Sequence, residues 1–294
     1  MNRILAATDF SPRADLALDR AALLARLNQV PLDLVHVVDP DRPAPLVEAE
    51  TMLGQGLLEQ QAERLASDYG IAVGRQVYQN EAFLGICDAV EQLQPDLLVI
   101  GAYRRRLLQD IFIGTTAERS IRRSRKPVLI VNQPAGNDYA HALAALDLSD
   151  NSVAVLRMIR SLQLNRAAMI SVVHLFEAPA IGSLALSSAN EQEIDHYLAG
   201  EQAAATEELD DLLHSAEAGR VQRIVRPIER SIERELEKVA DELGADLVVI
   251  GGGASSGGTR LLLGSTTLEI LRTSRRDILV VPNQGKEPSD RRPG

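Results

Sequence analysis

The chain is written twice. Asp9 and Asp147 stand 138 residues apart, as do Ser11 and Ser149, and His36 and His174; Gly101 and Gly251, and Gly114 and Gly264, stand 150 apart. Two constant offsets mean two copies of one folding unit, with 150 − 138 = 12 extra residues inside the second. The extra residues fall between the second and third strands, most simply in the loop around Ala178 to Ser188. In a chain of 294 residues this allots about 150 to each copy, enough to bury a sizeable core. We place the first domain at 1–133, the second at 139–284, and a tail expected to be disordered at 285–294. Pro134-Ala135-Gly136-Asn137-Asp138 is the linker.

Each copy alternates short apolar runs with helical patterns. In the first, RILAAT, LDLVHVV, Ala72 to Tyr78, LLVI and VLIVN read as strands. Ser11 followed by Pro12 marks a helix start, a cap residue before proline at the first helical position. Further helices are expected from Pro45 to Tyr69, Glu81 to Leu93 and Thr115 to Ser124. The second copy repeats the order, with its third helix expected from Ile228 to Leu243 and its last from Ser265 to Thr273. This predicts α/β architecture: two tandem doubly wound, Rossmann-like domains, each a five-stranded mainly parallel sheet with about four helices. Such sheets bind ligands beyond the carboxyl ends of their strands, where Asp9, Gly101 and their second-copy equivalents would cluster.

Two stretches carry the candidate chemistry. LVVIGGGASSGGTRLLLGSTT (Leu247 to Thr267) is a buried strand opening into glycines and closing on Gly264-Ser265-Thr266, where a helix begins; LLVIGAYRRRLLQDIFIGTT is its first-copy parallel. Glycines let main-chain N–H groups turn toward one point, and a helix N-terminus adds unpaired donors and a positive dipole end. Together these features suit a phosphate.

Composition narrows the classes. A net charge of −10 argues against general nucleic-acid binding. One segment runs the other way: between Gly101 and Lys126, eight basic residues (Arg104, Arg105, Arg106, Arg119, Arg122, Arg123, Arg125, Lys126) face only Asp110 and Glu118. It reads either as a solvated face or as an anion contact. No apolar run approaches the ~20 residues of a membrane span, and Met1 to Leu5 lacks signal-peptide character, so a cytoplasmic location is expected. Cys87 reads as core filler. His36 and His174, inside strands, read as hydrogen-bonded interior histidines. Metal-ligand spacing is absent, and no Gly-x4-Gly-Lys-(Ser/Thr) P-loop occurs.

These signs, in order and twice, resemble the universal stress protein family in its tandem two-domain form: ATDFS and ALDLS, VHVV and VVHL, DLLVIG and DLVVIG, then PVLIV and DILVV. The resemblance implies ATP, carried with Mg²⁺ where a metal is needed. Loop backbone would hold the phosphates, and the first-strand aspartate would meet adenine. Nucleotide-binding members of the family carry Gly-x2-Gly-x9-Gly-(Ser/Thr). Here the second glycine is replaced in both copies: Gly101-x2-Arg104-x9-Gly114-Thr115 and Gly251-x2-Ala254-x9-Gly264-Ser265. If that position needs a positive φ, the replacement costs about 1–2 kcal/mol. Ala254 adds only a methyl among many glycines, whereas Arg104 brings a long side chain, so the second copy is expected to hold the better site. Its residues would be Asp147, Leu175, Gly251, Ala254, Gly264, Ser265 and Thr266; the first copy's would be Asp9, Val37, Gly101, Arg104, Gly114 and Thr115.

No catalytic residue is identified, and hydrolysis would be slow and incidental without a base to activate water. The leading expectation is a cytoplasmic, nucleotide-dependent regulator of the stress response. The alternative is a scaffold or interaction protein with a degenerate pocket; a hydrolase of an adenylylated or phosphorylated small molecule is a distant third. In single-domain relatives the last strands pair across a dimer, so here Val128 to Asn132 and Ile278 to Val281 are expected to pair with each other, and the chain to associate again as a homodimer.

Overall fold

The computed structural model describes residues 1–102, 115–163, 168–180, 190–252 and 264–283. The first half runs β1 (Ile4–Ala7), α1 (Pro12–Asn28), β2 (Leu32–Val38), α2 (Ala44–Tyr69), β3 (Val73–Gln79), α3 (Ala82–Leu93), β4 (Leu97–Gly101), α4 (Thr115–Ser124) and β5 (Val128–Val131). The second runs β6 (His141–Ala145), α5 (Asp150–Ser161), β7 (Met169–Phe176), α6 (Glu191–Ser215), β8 (Gln222–Pro227), α7 (Ile232–Leu243), β9 (Leu247–Gly251), α8 (Ser265–Thr273) and β10 (Asp277–Val281). The expected insertion lies largely outside the described residues, as does the tail from residue 284 onward.

All ten strands join one sheet in the order β3-β2-β1-β4-β5-β10-β9-β6-β7-β8. Within each half every pairing is parallel. Between the halves, β5 and β10 pair antiparallel, Leu129 opposite Leu279. The carboxyl ends of the two sets of strands therefore point to opposite edges of the sheet.

Alternation along the strands feeds two cores. Ile4 and Ala6 face α1 and α2, while Leu5 and Ala7 face α3. Each core runs on through the second half, the former reaching Val155 and Leu209, the latter Leu236 and Ile270. The two halves are thus packed as one body.

The halves meet at a buried polar knot. The Asp277 carboxylate, fully buried, accepts hydrogen bonds from the Asn132 and Gln133 amides at 2.8 and 2.9 Å and from the Tyr139 hydroxyl at 2.6 Å. Arg20 on α1 brings its Nε to 3.3 Å from that carboxylate and its guanidinium 4.1 Å above the Tyr139 ring. It also donates to the linker carbonyl of Asn137 at 2.8 Å. Burial pushes the Asp277 carboxyl above the usual carboxylate range, outweighing Tyr139, the two amides and Arg20. Burial likewise raises the Tyr139 hydroxyl, with the Asp277 charge adding to it.

One helix begins later than its sequence suggests. Pro227 is still paired with Phe176, and the Ile228 amide donates to the Phe176 carbonyl at 2.9 Å, so Ile228 is held at the end of β8 and not in the helix. Ser231, extended at φ −158°, precedes α7, which starts at Ile232.

Candidate nucleotide cleft

The first half's strands end around a cavity of about 280 Å³. Its walls include Ala7, Thr8 and Asp9 after β1, Val35, His36 and Val37 on β2, Ala82 and Ile86 on α3, Ile100 and Gly101 on β4, and Thr116 on α4. Ser11 and Arg13 close the side toward α1. Val35, Val37, Ile86 and Ile100 give the wall its apolar residues, and Thr116 stands in the first turn of α4.

Local rules place each of these groups. The turn after β1 carries Phe10 in the left-handed region at φ +59°, and the matching Leu148 sits at +58°. Strain of this kind in a large residue is rare and concentrates at functional turns. It turns the chain sharply, so that Asp9 accepts from the Ser11 amide at 3.0 Å and remains exposed. Ser11 caps α1 through the Ala14 amide at 3.3 Å. The Phe10 ring lies 4.3 Å from the His36 ring, and His36 Nδ1 is 2.9 Å from the Thr8 carbonyl oxygen. His174 makes the same contact with Leu146, also at 2.9 Å, so both histidines are hydrogen-bonded within the fold.

Gly101 permits the close crossing of α1 over β4. A Cβ there would stand 2.7 Å from the Arg13 carbonyl oxygen and 3.1 Å from the Ala14 nitrogen. The cleft is shaped by that contact, because it brings the first turn of α1 onto the end of β4.

The second half builds the matching edge from Asp147 after β6, Leu175 on β7 and Gly251 at the end of β9. Gly264 precedes α8, with Ser265 and Thr266 in its first turn; Thr267 Oγ1 donates to the Gly251 carbonyl at 3.4 Å. Of the residues named from sequence, Asp9, Val37 and Gly101 come together around the cavity. Thr115 begins α4, and the threonine on the wall is Thr116. Arg104, Gly114 and Ala254 lie outside the described residues. Sequence reasoning missed Arg13, Val35, Ala82, Ile86 and Ile100.

Arg119, Arg122 and Cys87 resolve more simply. In the basic segment, Arg119 pairs with Glu81 at 3.6 Å and lies 4.4 Å above the Phe83 ring, while Arg122 pairs with Glu118 at 2.7 Å. Those two read as a solvated helix face; Arg105 and Arg106 lie outside the described residues. Cys87 is buried, and burial pushes its thiol up despite the opposing pull of Arg123. Among the described residues no group of three or more His, Cys, Asp or Glu is placed to hold a metal ion, and no helix is long and apolar enough to cross a membrane.

Comparison with known proteins agrees over most of the chain. The family model described as the universal stress protein family matches residues 1–132 and again 138–282. A universal stress protein of Mycolicibacterium smegmatis is 23% identical over 300 residues, covering 95% of this chain and 96% of its own. The crystal structure of a universal stress protein from Archaeoglobus fulgidus superposes with a TM-score of 0.72 at 15% identity, over 96% of this chain and 98% of that one. A functionally unknown protein of Pseudomonas aeruginosa PAO1 does so with a TM-score of 0.63 at 19% identity, over 96% and 92%.

Proposed function

The chain belongs to the universal stress protein family, and from that premise we propose that it binds an adenine nucleotide at the carboxyl edge of its sheet and regulates partner proteins in the stress response according to occupancy. The observation that carries this reading is the 280 Å³ cavity, apolar on one side and lined by Gly101, Thr116 and Arg13 on the other. A purine fits between Val35, Val37, Ile86 and Ile100, and the exposed Asp9 carboxylate offers an acceptor to an exocyclic amine. The first turn of α4 has amides without intrahelical partners, which suits phosphate. Mg²⁺ would enter with the phosphates rather than on a protein cage. In the second half Asp147, Leu175, Gly251, Ala254, Gly264, Ser265 and Thr266 make the equivalent site, and Arg104, Gly114 and Thr115 complete the first.

Two domains, 1–133 and 139–284, joined through β5 and β10, make the chain a covalent pseudo-dimer under this reading. On the same reading the nucleotide acts as a signal and not as a substrate. Calorimetric titration of the full chain with ATP and Mg²⁺ tests the proposal. Saturable binding at micromolar to millimolar concentration supports it; a flat titration, with no nucleotide released from denatured protein, favours the scaffold reading instead.

A further inference from the structure

Arg13 is a group that the motif does not include. It is the second residue of α1, half-buried, and part of the first cleft's wall. Its main chain is pinned against Gly101. Among the described residues no carboxylate pairs with its guanidinium, although Asp9 lies on the same cavity. An arginine whose main chain is fixed at the wall of a ligand-sized cavity, with no carboxylate partner among the described residues, is suited to an anion that arrives with the ligand.

The second half answers differently at the same place. The position is Asn151 (13 + 138 = 151), 5% exposed. Its Nδ2 donates to the Val281 carbonyl at 3.3 Å and lies 2.5 Å from where a Cβ on Gly251 would stand. Its Oδ1 is buried without a hydrogen-bond partner among the described residues. The amide is buried, carries no charge and already gives an N–H to a main-chain carbonyl, which makes it a poorer phosphate partner than a guanidinium.

We propose that Arg13 is the residue that selects a phosphorylated ligand, so that the first half holds the nucleotide's phosphates and the second, with Asn151 in its place, binds them far more weakly. This rests on the nucleotide reading above, and it ranks the halves in the order opposite to the one their glycines suggest. In the first cleft the guanidinium makes charge-assisted hydrogen bonds to phosphate oxygens, while the base sits against Val37 and Ile86. A nucleoside has the base and lacks the phosphates, so it should not sense Arg13.

The test uses full-length Arg13→Asn, the residue the second half already carries, titrated with ATP and separately with adenosine. A thermal melt confirms folding, and Arg13→Lys restores charge without the planar fork. The expected result is an ATP affinity lower by about tenfold to a hundredfold, the scale of a charged hydrogen bond, with adenosine affinity unchanged and Arg13→Lys intermediate. If ATP and adenosine weaken together, or neither changes, the assignment of Arg13 is overturned while nucleotide binding stands. If the unsubstituted chain binds neither ligand, the nucleotide reading fails and takes this assignment with it.

Discussion

The two halves share strand order, helix order and the strained Asp-x-Ser turn, yet they line their strand ends with different groups. Among the described residues Asp9 accepts one hydrogen bond, from the Ser11 amide. Asp147 accepts three, from the Ser149 amide and hydroxyl at 3.1 and 2.6 Å and from the Ser152 hydroxyl at 3.1 Å. Arg13 faces a cavity, and Asn151 is spent on a carbonyl. On the third helix of each half, Gly85 is replaced by Glu235 (85 + 150 = 235). Gly85 lets α3 lie against β2, since a Cβ there would stand 2.6 Å from Val37. Glu235 is 5% exposed, with the Lys238 ammonium 3.9 Å away. The frame is the same in both halves, and the groups at the strand ends differ. In the second half Asp147 takes more hydrogen bonds within its turn than Asp9 does in the first, and Asn151 and Glu235 are buried.

The junction shows the same inequality at larger scale. Asp277 is matched in the first half by Pro127 (127 + 150 = 277), which can hold no such knot. Asp277→Ala is expected to destabilise the chain by about 3–5 kcal/mol, because it leaves Arg20 buried without its counter-charge; denaturant unfolding measures it, and a loss below about 1 kcal/mol would remove the knot from the account. The same group sets a pH signature. Its folded-state pKa lies above the ordinary 3.8, so the folded chain holds that proton more tightly than the unfolded one. That contribution is full below 3.8 and is lost as the pH rises through the raised value. Asp277→Asn should therefore flatten the fall in stability with pH above 3.8, as read by melts across a pH series.

A gentler contrast uses the two strand-end glycines. Gly101→Ala presses a methyl into the Arg13 main chain, whereas Gly251→Ala meets the tip of the Asn151 side chain, which can swing aside. The first should cost about 1–3 kcal/mol as overpacking, and the second clearly less. Equal losses in paired melts would mean that α1 and α5 cross their strands alike. Smallest is the aspartate pair. Asp147→Asn should lower stability by about 1 kcal/mol through its lost hydrogen bonds, with little effect on ATP affinity. Asp9→Asn should do the reverse, weakening ATP severalfold while the melt stays put.

Much of this was legible in the residues. The offsets of 138 and 150, with β-rich runs ahead of each glycine, imply two parallel units, and Asp9, Val37 and Gly101 do line one cavity. The helix expected from Ile228 starts at Ile232, because Pro227 pairs with Phe176 in β8 and the Ile228 amide bonds to the Phe176 carbonyl. Arg13 was missed for a different reason. Its role depends on α1 crossing over Gly101, a contact between residues 88 positions apart (101 − 13) that no local pattern encodes. Laying one copy over the other would have exposed it, since Arg13 against Asn151 and Gly85 against Glu235 are changes of charge at fixed offsets. The preference for the second copy drew on glycines between 253 and 258, which lie outside the described residues.

A crystal structure of the full chain grown with millimolar ATP and Mg²⁺ decides between equal and unequal halves by inspection. The expected map shows a nucleotide in the first half, its base between Val37 and Ile86 and its phosphates beside Arg13 and Gly101, with no comparable density at Gly251. Density above Gly251 alone, or full nucleotides in both clefts, would contradict it.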